Sequence, residues 1–254
     1  MKNSGDSPKY LKGAVHLHTD LSHDGIMPIE KLATFLKSKG YDFLAITEHS
    51  HDVDYDAMQE LADKAEELSS DDFTIIPGLE YRCHDDIDIM GFGVIEPCEH
   101  GTPGEVITHI RDRGGVAVWA HPSFRDYPTE RHWLERLDGA EIWNQIHDSR
   151  YMPHTRSVNR FNELRKSNSD LQAYCGLDMH RPDNFFFIST TVSVPGNDRN
   201  DILAAMKAGN FASRSRFFNI DAYGRISLFY HFYIWSFNCA IKFARWMRDT
   251  FSGE

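Results

Sequence analysis

The sequence predicts an α/β fold, strands alternating with helices around a closed barrel, and three observations predict it. Short apolar runs alternate with amphipathic helical patterns from residue 14 to residue 215, the signature of a parallel sheet with crossovers. The chain of 254 residues holds no long linker or low-complexity tract before residue 220, and its roughly seven strand–helix units suit a closed barrel better than an open sheet. Several buried runs end in histidine or a carboxylate. Right-handed units place all strand C-termini on one face, so these residues are expected to meet there.

Residues 14–18 form a short apolar strand that ends in a polar cluster. Pro28 opens a helix with Ile29, Leu32 and Leu36 on one face, and Gly40 stops it. Residues 43–47 are the next buried strand. Residues 55–68 are an amphipathic helix carrying Met58, Leu61, Ala62, Ala65 and Leu68 at helical spacing. Strands follow at 74–77 and 87–95, the latter bent or bulged at Gly91 and Gly93. A helix over 103–113 ends at Gly114 and Gly115, and a strand over 116–120 follows. The pattern continues with a helix at 129–137, a strand at 140–143, a helix at 153–166 and a strand at 172–177. Residues 186–194, β-branched and aromatic, read as a strand; 198–208 as a helix closed by Gly209; 211–215 as a last short strand.

Composition narrows the function. Lys+Arg 27 against Asp+Glu 38 gives a net charge of −11, which argues against a general nucleic-acid backbone binder. A hydrophobic fraction of 41% with 26% charged residues excludes disorder. Cys83, Cys98, Cys175 and Cys239 are scattered without CxxC spacing, so neither a disulfide framework nor a thiolate zinc site is expected. Residues 1–12 form a polar tail without the apolar segment of a secretory signal, and a cytoplasmic location is the expectation.

Histidine is the outlier, at 14 residues, and its placement carries the chemistry. The strand ends supply His16, His18, His23 and Asp24; Glu48 and His49; Glu80; His121; and Asp178 and His180. His16 with His18, and Asp178 with His180, are two apart, and on a strand such residues share a side. One such pair is a common packing feature, whereas five strand ends carrying ligand types are not. Imidazoles and carboxylates gathered in one pocket need divalent cations to offset the charge and use the imidazole lone pairs.

The segments His16-Leu-His18-Thr through Ser22-His-Asp24-Gly25, Ile46-Thr-Glu-His49, Pro77-Gly-Leu-Glu80, Ala120-His121-Pro122 and Gly176-Leu-Asp178-Met-His180 resemble, in motif order, the polymerase and histidinol phosphatase (PHP) superfamily. The resemblance spans residues 13 to 216. It implies a distorted (β/α)7 TIM-like barrel over 13–220, two or three divalent ions (zinc, manganese or iron) and phosphoester hydrolysis. Carried over motif by motif, it puts one ion on His16, His18, Glu80 and Asp178. A second lies between Glu80 and His121, and a third is held by Asp24, His49 and His180. Two positions depart from the pattern. Asp88 stands before Met90-Gly91-Phe92-Gly93, where many relatives carry histidine, with His84 or Asp85 as substitutes; and either Asp24 or His23 fits the first motif, Asp24 better through its neighbour Gly25.

The implied mechanism is attack by a metal-activated water, with Glu80 bridging two ions, Asp178 orienting the water and, where the third ion is absent, His180 or His49 protonating the leaving group. Arg125, Arg181 and Arg214 are candidates to hold phosphate, and Asn144 to orient substrate or cap its loop. His109, His132, His147 and His154 lie away from the five motifs; His51 could line the pocket, and His100 and His231 read as surface or packing residues.

The leading expectation is therefore a phosphoesterase acting on a small phosphorylated metabolite. The alternatives are a phosphodiesterase or 3′–5′ exonuclease on oligonucleotides, hydrolysis at carbon, and a metal-bound scaffold without turnover.

Residues 221–254 add a C-terminal amphipathic helix. Its stretch 226–241 carries no charge and is too short to span a bilayer, with Ser227, His231, Asn238, Lys242, Arg245 and Asp249 on one face. Packing on the barrel or on a second subunit is the commoner use of such a helix, and attachment to a membrane surface the sharper alternative.

Overall fold

Strands form where the apolar runs lie, and helices where apolar residues recur at three and four. The computed structural model describes residues 8–98, 101–217, 219–226 and 228–251. His100, Ser227 and residues 1–7 of the expected polar tail lie outside the described residues, as do the side chains of Arg245 and Asp249. The first part of the chain contains β1 (Lys9–Val15), α1 (Ile29–Ser38), β2 (Phe43–Ala45), β3 (Glu48–His49), α2 (Tyr55–Leu68), β4 (Thr74–Ile76), β5 (Gly78–Arg82) and β6 (Asp88–Phe92). Next come α3 (Pro103–Asp112), β7 (Val116–Trp119), α4 (Arg131–Leu134), β8 (Gly139–Asn144), α5 (Thr155–Ser167) and β9 (Gln172–Gly176). The chain closes with β10 (Ser189–Val194), α6 (Arg199–Lys207), β11 (Phe211–Arg214), β12 (Asn219–Asp221) and α7 (Leu228–Phe251).

The capping chemistry is local. Asp54 accepts from the Ala57 N–H at the start of α2, and Thr102 with Glu105 forms a capping box at the start of α3. The helix expected over 129–137 shrinks to the four residues of α4, and β12 has no signal in the sequence.

Among the described residues the strands form two six-stranded mixed sheets, ordered β12-β11-β10-β1-β2-β4 and β3-β5-β6-β7-β8-β9, rather than the expected single parallel sheet closed into a barrel. Two causes are visible. β5 and β6 are joined by a short turn at His84–Asp86 without a helix, which forces an antiparallel pair, and β7 restores the direction by running antiparallel to β6. β10 returns antiparallel along the outer edge of β1 and carries β11 and β12 with it.

The sheets meet at one end. Leu177 N donates to Val15 O (3.0 Å), His18 N to Met179 O (3.0 Å) and Thr47 N to Leu17 O (2.8 Å), so the segments leaving β1, β2 and β9 lie side by side. Interior residues Val15, Phe43, Ile76, Met90, Val118 and Tyr174 pack together, and Ile202, Ala205 and Met206 of α6 join them. The larger apolar cluster lies between the strands and the other helices.

Candidate metal centre

The residues that follow the strands converge on a cavity of about 370 Å³. Six of the carboxylates and imidazoles expected to ligate, Glu80, Asp88, His121, Asp178, His16 and His18, are buried. Glu80, in the middle of β5, is the hub. Its Oε1 lies 3.5 Å from His16 Nε2 and 3.3 Å from His121 Nε2; its Oε2 lies 3.1 Å from His49 Nδ1 and 3.7 Å from His18 Nε2. Asp178 Oδ1 is 3.4 Å from His16 Nε2 and 3.6 Å from His18 Nε2. Asp24 Oδ1 is 3.4 Å from His49 Nε2 and 3.3 Å from His180 Nε2, while His23 turns away to Asp52 (2.7 Å).

Strand alternation does not produce this convergence. β1 ends at Val15 and β9 at Gly176, before the HxH and DxH pairs begin. His16 (φ 61°), His121 (φ 34°) and Asp178 (φ 49°) instead adopt left-handed backbone conformations, which side chains other than glycine rarely take. The Leu17–Met179 bridge and its flanking hydrogen bonds hold two of these turns in place. Strained backbone at a cluster of polar groups is a mark of a functional site.

The imidazoles are oriented from behind. His16 Nδ1 lies 2.8 Å from Glu141 Oε1. His18 Nδ1 lies 3.3 Å from Ser22 Oγ, whose hydroxyl donates to Glu48 Oε2 at 2.5 Å and so leaves the oxygen to accept. His180 Nδ1 donates to the Asp178 carbonyl at 3.0 Å. Each ring thus turns its Nε2 to a carboxylate of the centre, and those three nitrogens, with Glu80 Oε1, are buried without a hydrogen-bond partner. Lone pairs facing carboxylates at 3.3–3.7 Å need a proton or a cation between them. The donor set of imidazole nitrogen and carboxylate oxygen, with each imidazole fixed by an outer partner, fits divalent metal ions.

Without a cation, protons take that place. Burial lowers the His16 imidazole, but Asp178, Glu141 and Glu80 override it and raise its pKa well above the ordinary value. Burial disfavours the Glu80 and Asp178 carboxylates, yet His16 and the other imidazoles hold both well below the usual range. His49, opposed by burial and favoured by Glu80, rises to about 9, whereas burial takes His18 down to about 4.

The other candidate residues lie around this hub or away from it. Asp88 sits at the same rim because β6 runs antiparallel and begins there, opposite Arg82. Its Oδ1 accepts from Arg82 Nε, and its Oδ2 lies 3.8 Å from His121 Nε2. Burial, then Glu80, pushes Asp88 up to about 6. His84 and Asp85 do not line the cavity; Asp86 does. His147, expected apart from the motifs, lies 3.5 Å from Asp178 Oδ2 and groups with His121. His51 lines the cavity. His109 bonds the Glu96 carbonyl, His132 faces Glu130 and His154 faces Asp148.

The substrate candidates separate. Arg125 lines the cavity, 2.8 Å from exposed Asp86. Arg181 is not a lining residue and faces Asp183, and Arg214 is exposed at the end of β11, two strands from β1. Asn144 is not free for substrate: its amide donates to Glu141 Oε2 and Asp178 Oδ2, and its Oδ1 accepts from two backbone N–H groups. Sequence reasoning misses Glu141, although it lies in a predicted strand, because a carboxylate behind a ligand carries no motif. Gly176 makes room for it: a Cβ there would lie 1.8 Å from Glu141 Oε1.

Solved structures share the fold. A two-domain Bacteroides vulgatus protein, described as containing a predicted PHP-like metal-dependent phosphoesterase, aligns at 17% identity with a TM-score of 0.61, over 85% of this chain and 67% of its own. PsfC from Pseudomonas syringae aligns at 16% identity and TM-score 0.59, over 82% and 93%. Endonuclease Q, solved with a duplex carrying an abasic lesion, aligns at 12% and 0.58, over 84% and 60%. No curated protein sequence matches the chain. The model of the PHP domain matches residues 14–178, which begin just before His16 and end on Asp178; by that match the chain belongs to the PHP domain family.

Proposed function

We propose that the chain is a metal-dependent phosphoesterase that releases phosphate from a small phosphorylated metabolite. The observation that carries this reading is the set of buried, unpartnered Nε2 atoms of His16 and His18, which face Glu80 and Asp178, and of His180, which faces Asp24, at a cavity that Glu80, Asp178, Asp24 and His180 line. His16, His18, Glu80 and Asp178 would hold one ion; Glu80 and His121, with Asp88 at its edge, a second; Asp24, His49 and His180 a third. Glu80 suits a bridging role because its two oxygens face different imidazoles. Bound divalent ions supply positive charge for phosphate oxygens and lower the pKa of water at the site. Asp178, held by Asn144, would orient the attacking water, and with the third ion absent a protonated His180 would give the leaving oxygen its proton from Nε2. Arg125, in a solvent-exposed pair with Asp86 that costs little to break, can turn to the phosphate. Phe124 and Tyr127 line the cavity beside it.

A second reading, a phosphodiester substrate, is favoured by one feature. Arg125 also lines a neighbouring cavity of about 740 Å³ that carries Arg156, Arg160, Lys166 and Lys242, a basic groove on an acidic chain. A panel of phosphomonoesters and oligonucleotides, with added manganese or zinc and Glu80→Ala and His121→Ala as controls, separates the readings. Inorganic phosphate supports the first and mononucleotides the second. Metal-loaded protein that turns over no member of the panel contradicts both and leaves a scaffold. Four free cysteines fit a reducing, cytoplasmic setting for either activity.

A further inference from the structure

The most out-of-place feature of the molecule is α7. One side of it faces the protein: Ile234 is buried, Tyr230 and Phe237 pack on the core, and Asn238 reaches Thr155. The opposite side is the apolar one. Phe229, Phe232, Trp235, Phe243 and Trp246 are 73, 66, 55, 61 and 56% exposed, and they recur with Cys239 at helical spacing of three and four. Phe232 with Trp235 (5.9 Å) and Phe243 with Trp246 (5.7 Å) form ring pairs along this stripe. A folded chain rarely leaves so continuous an aromatic face in water, and a face of this kind marks an interaction surface.

Charge and composition select the occupant. Along α7 the sequence carries Lys242, Arg245 and Arg248 against Asp249, a surplus of basic residues in a chain whose net charge is −11. Against a second copy of the same helix these charges repel. Against an anionic surface they attract, while the rest of the chain is held off. Phe, Trp and Tyr in place of Leu and Val suit the boundary between headgroups and acyl chains. No helix among the described residues is long and apolar enough to cross a membrane, so the geometry is that of a helix lying in the surface plane. We propose that the outward face of α7 seats on the interfacial layer of an anionic membrane, with its aromatic stripe below the headgroups and the exposed Lys242 and Arg248 beside the phosphates.

The test is sedimentation of the full chain with vesicles of phosphatidylcholine alone or mixed with phosphatidylserine. The expected result is binding to the mixed vesicles that weakens as salt rises, each basic residue at the surface strengthening it about fivefold at low salt. Tryptophan emission should shift to shorter wavelength, and bilayer-resident quenchers should reach it. Trp235→Ser with Phe243→Ser should weaken binding at least about tenfold while phosphoester turnover in solution stays unchanged. The quenching measurement on the unsubstituted chain stands by itself should that variant fold poorly. Absence of binding and quenching with both vesicles overturns the proposal, as does undiminished binding by a folded variant. A lipid-free dimer that the same substitutions dissociate, with no vesicle binding, overturns it too and assigns the face to a second copy.

Discussion

The inner and outer halves of the metal centre are built differently. His16, His18, Glu80 and Asp178 are almost wholly out of water, and His16, His18 and Asp178 are braced by Glu141, Ser22 and Asn144. Asp24 faces them across the cavity with a side chain 45% exposed, and it meets His49 and His180 from a turn that Gly25 permits, since a Cβ there would lie 1.8 Å from the Thr19 carbonyl. Rigid outer partners raise affinity by fixing ring orientation and basicity, and burial raises it again by excluding water. The inner half should therefore hold its ion tightly and the outer half exchange it.

Substitution of the shared hub breaks the comparison most strongly. Glu80→Ala removes the oxygen donor shared by the first and second ions and the carboxylate that faces His49, and turnover should fall by more than the roughly 100-fold that loss of an outer partner brings, together with metal content by elemental analysis. Glu141→Gln should cost the inner ion about 10–100-fold in affinity by competition with a chelating dye and leave the outer ion unchanged. Chelation should lower the thermal midpoint by roughly 10 °C if the inner ion is present at about a thousand times its dissociation constant. Asp24→Asn should remove one equivalent of weakly held metal and move the midpoint far less.

Asp148, in the loop that follows β8, sharpens the comparison from behind the site. Burial pushes its carboxyl up to about 7, against hydrogen bonds from Ser157 Oγ and Asn144 N. A pKa raised above the unfolded value means that the folded state binds the proton more tightly. The stability this contributes is full below about pH 4 and lost as pH rises through about 7. In metal-free protein, Asp148→Asn should flatten that slope and stabilise the fold at pH 8 by at least about 1 kcal/mol in urea titrations.

The sequence makes the inner half legible because its ligands are spaced by motif, but it hides why they meet. Alternation along a strand explains His16 with His18 on paper; left-handed turns after the strands place them in the structure. Glu141 and His147 are illegible for another reason. Their roles depend on tertiary neighbours, Gly176 for one and Asp178 for the other, and neither residue stands in a motif or repeating pattern. The expected parallel sheet fails at β5–β6, where a turn of three residues stands in for a helix. In α7 the amphipathic pattern is plain, yet which face meets the protein follows only from packing.

Anomalous diffraction from crystals grown with zinc or manganese tests the central claim most directly. The account predicts a strong peak among His16, His18, Glu80 and Asp178 and a weaker one beside Asp24, His49 and His180. Fully occupied metal elsewhere, with protons or water alone at Glu80, would contradict it.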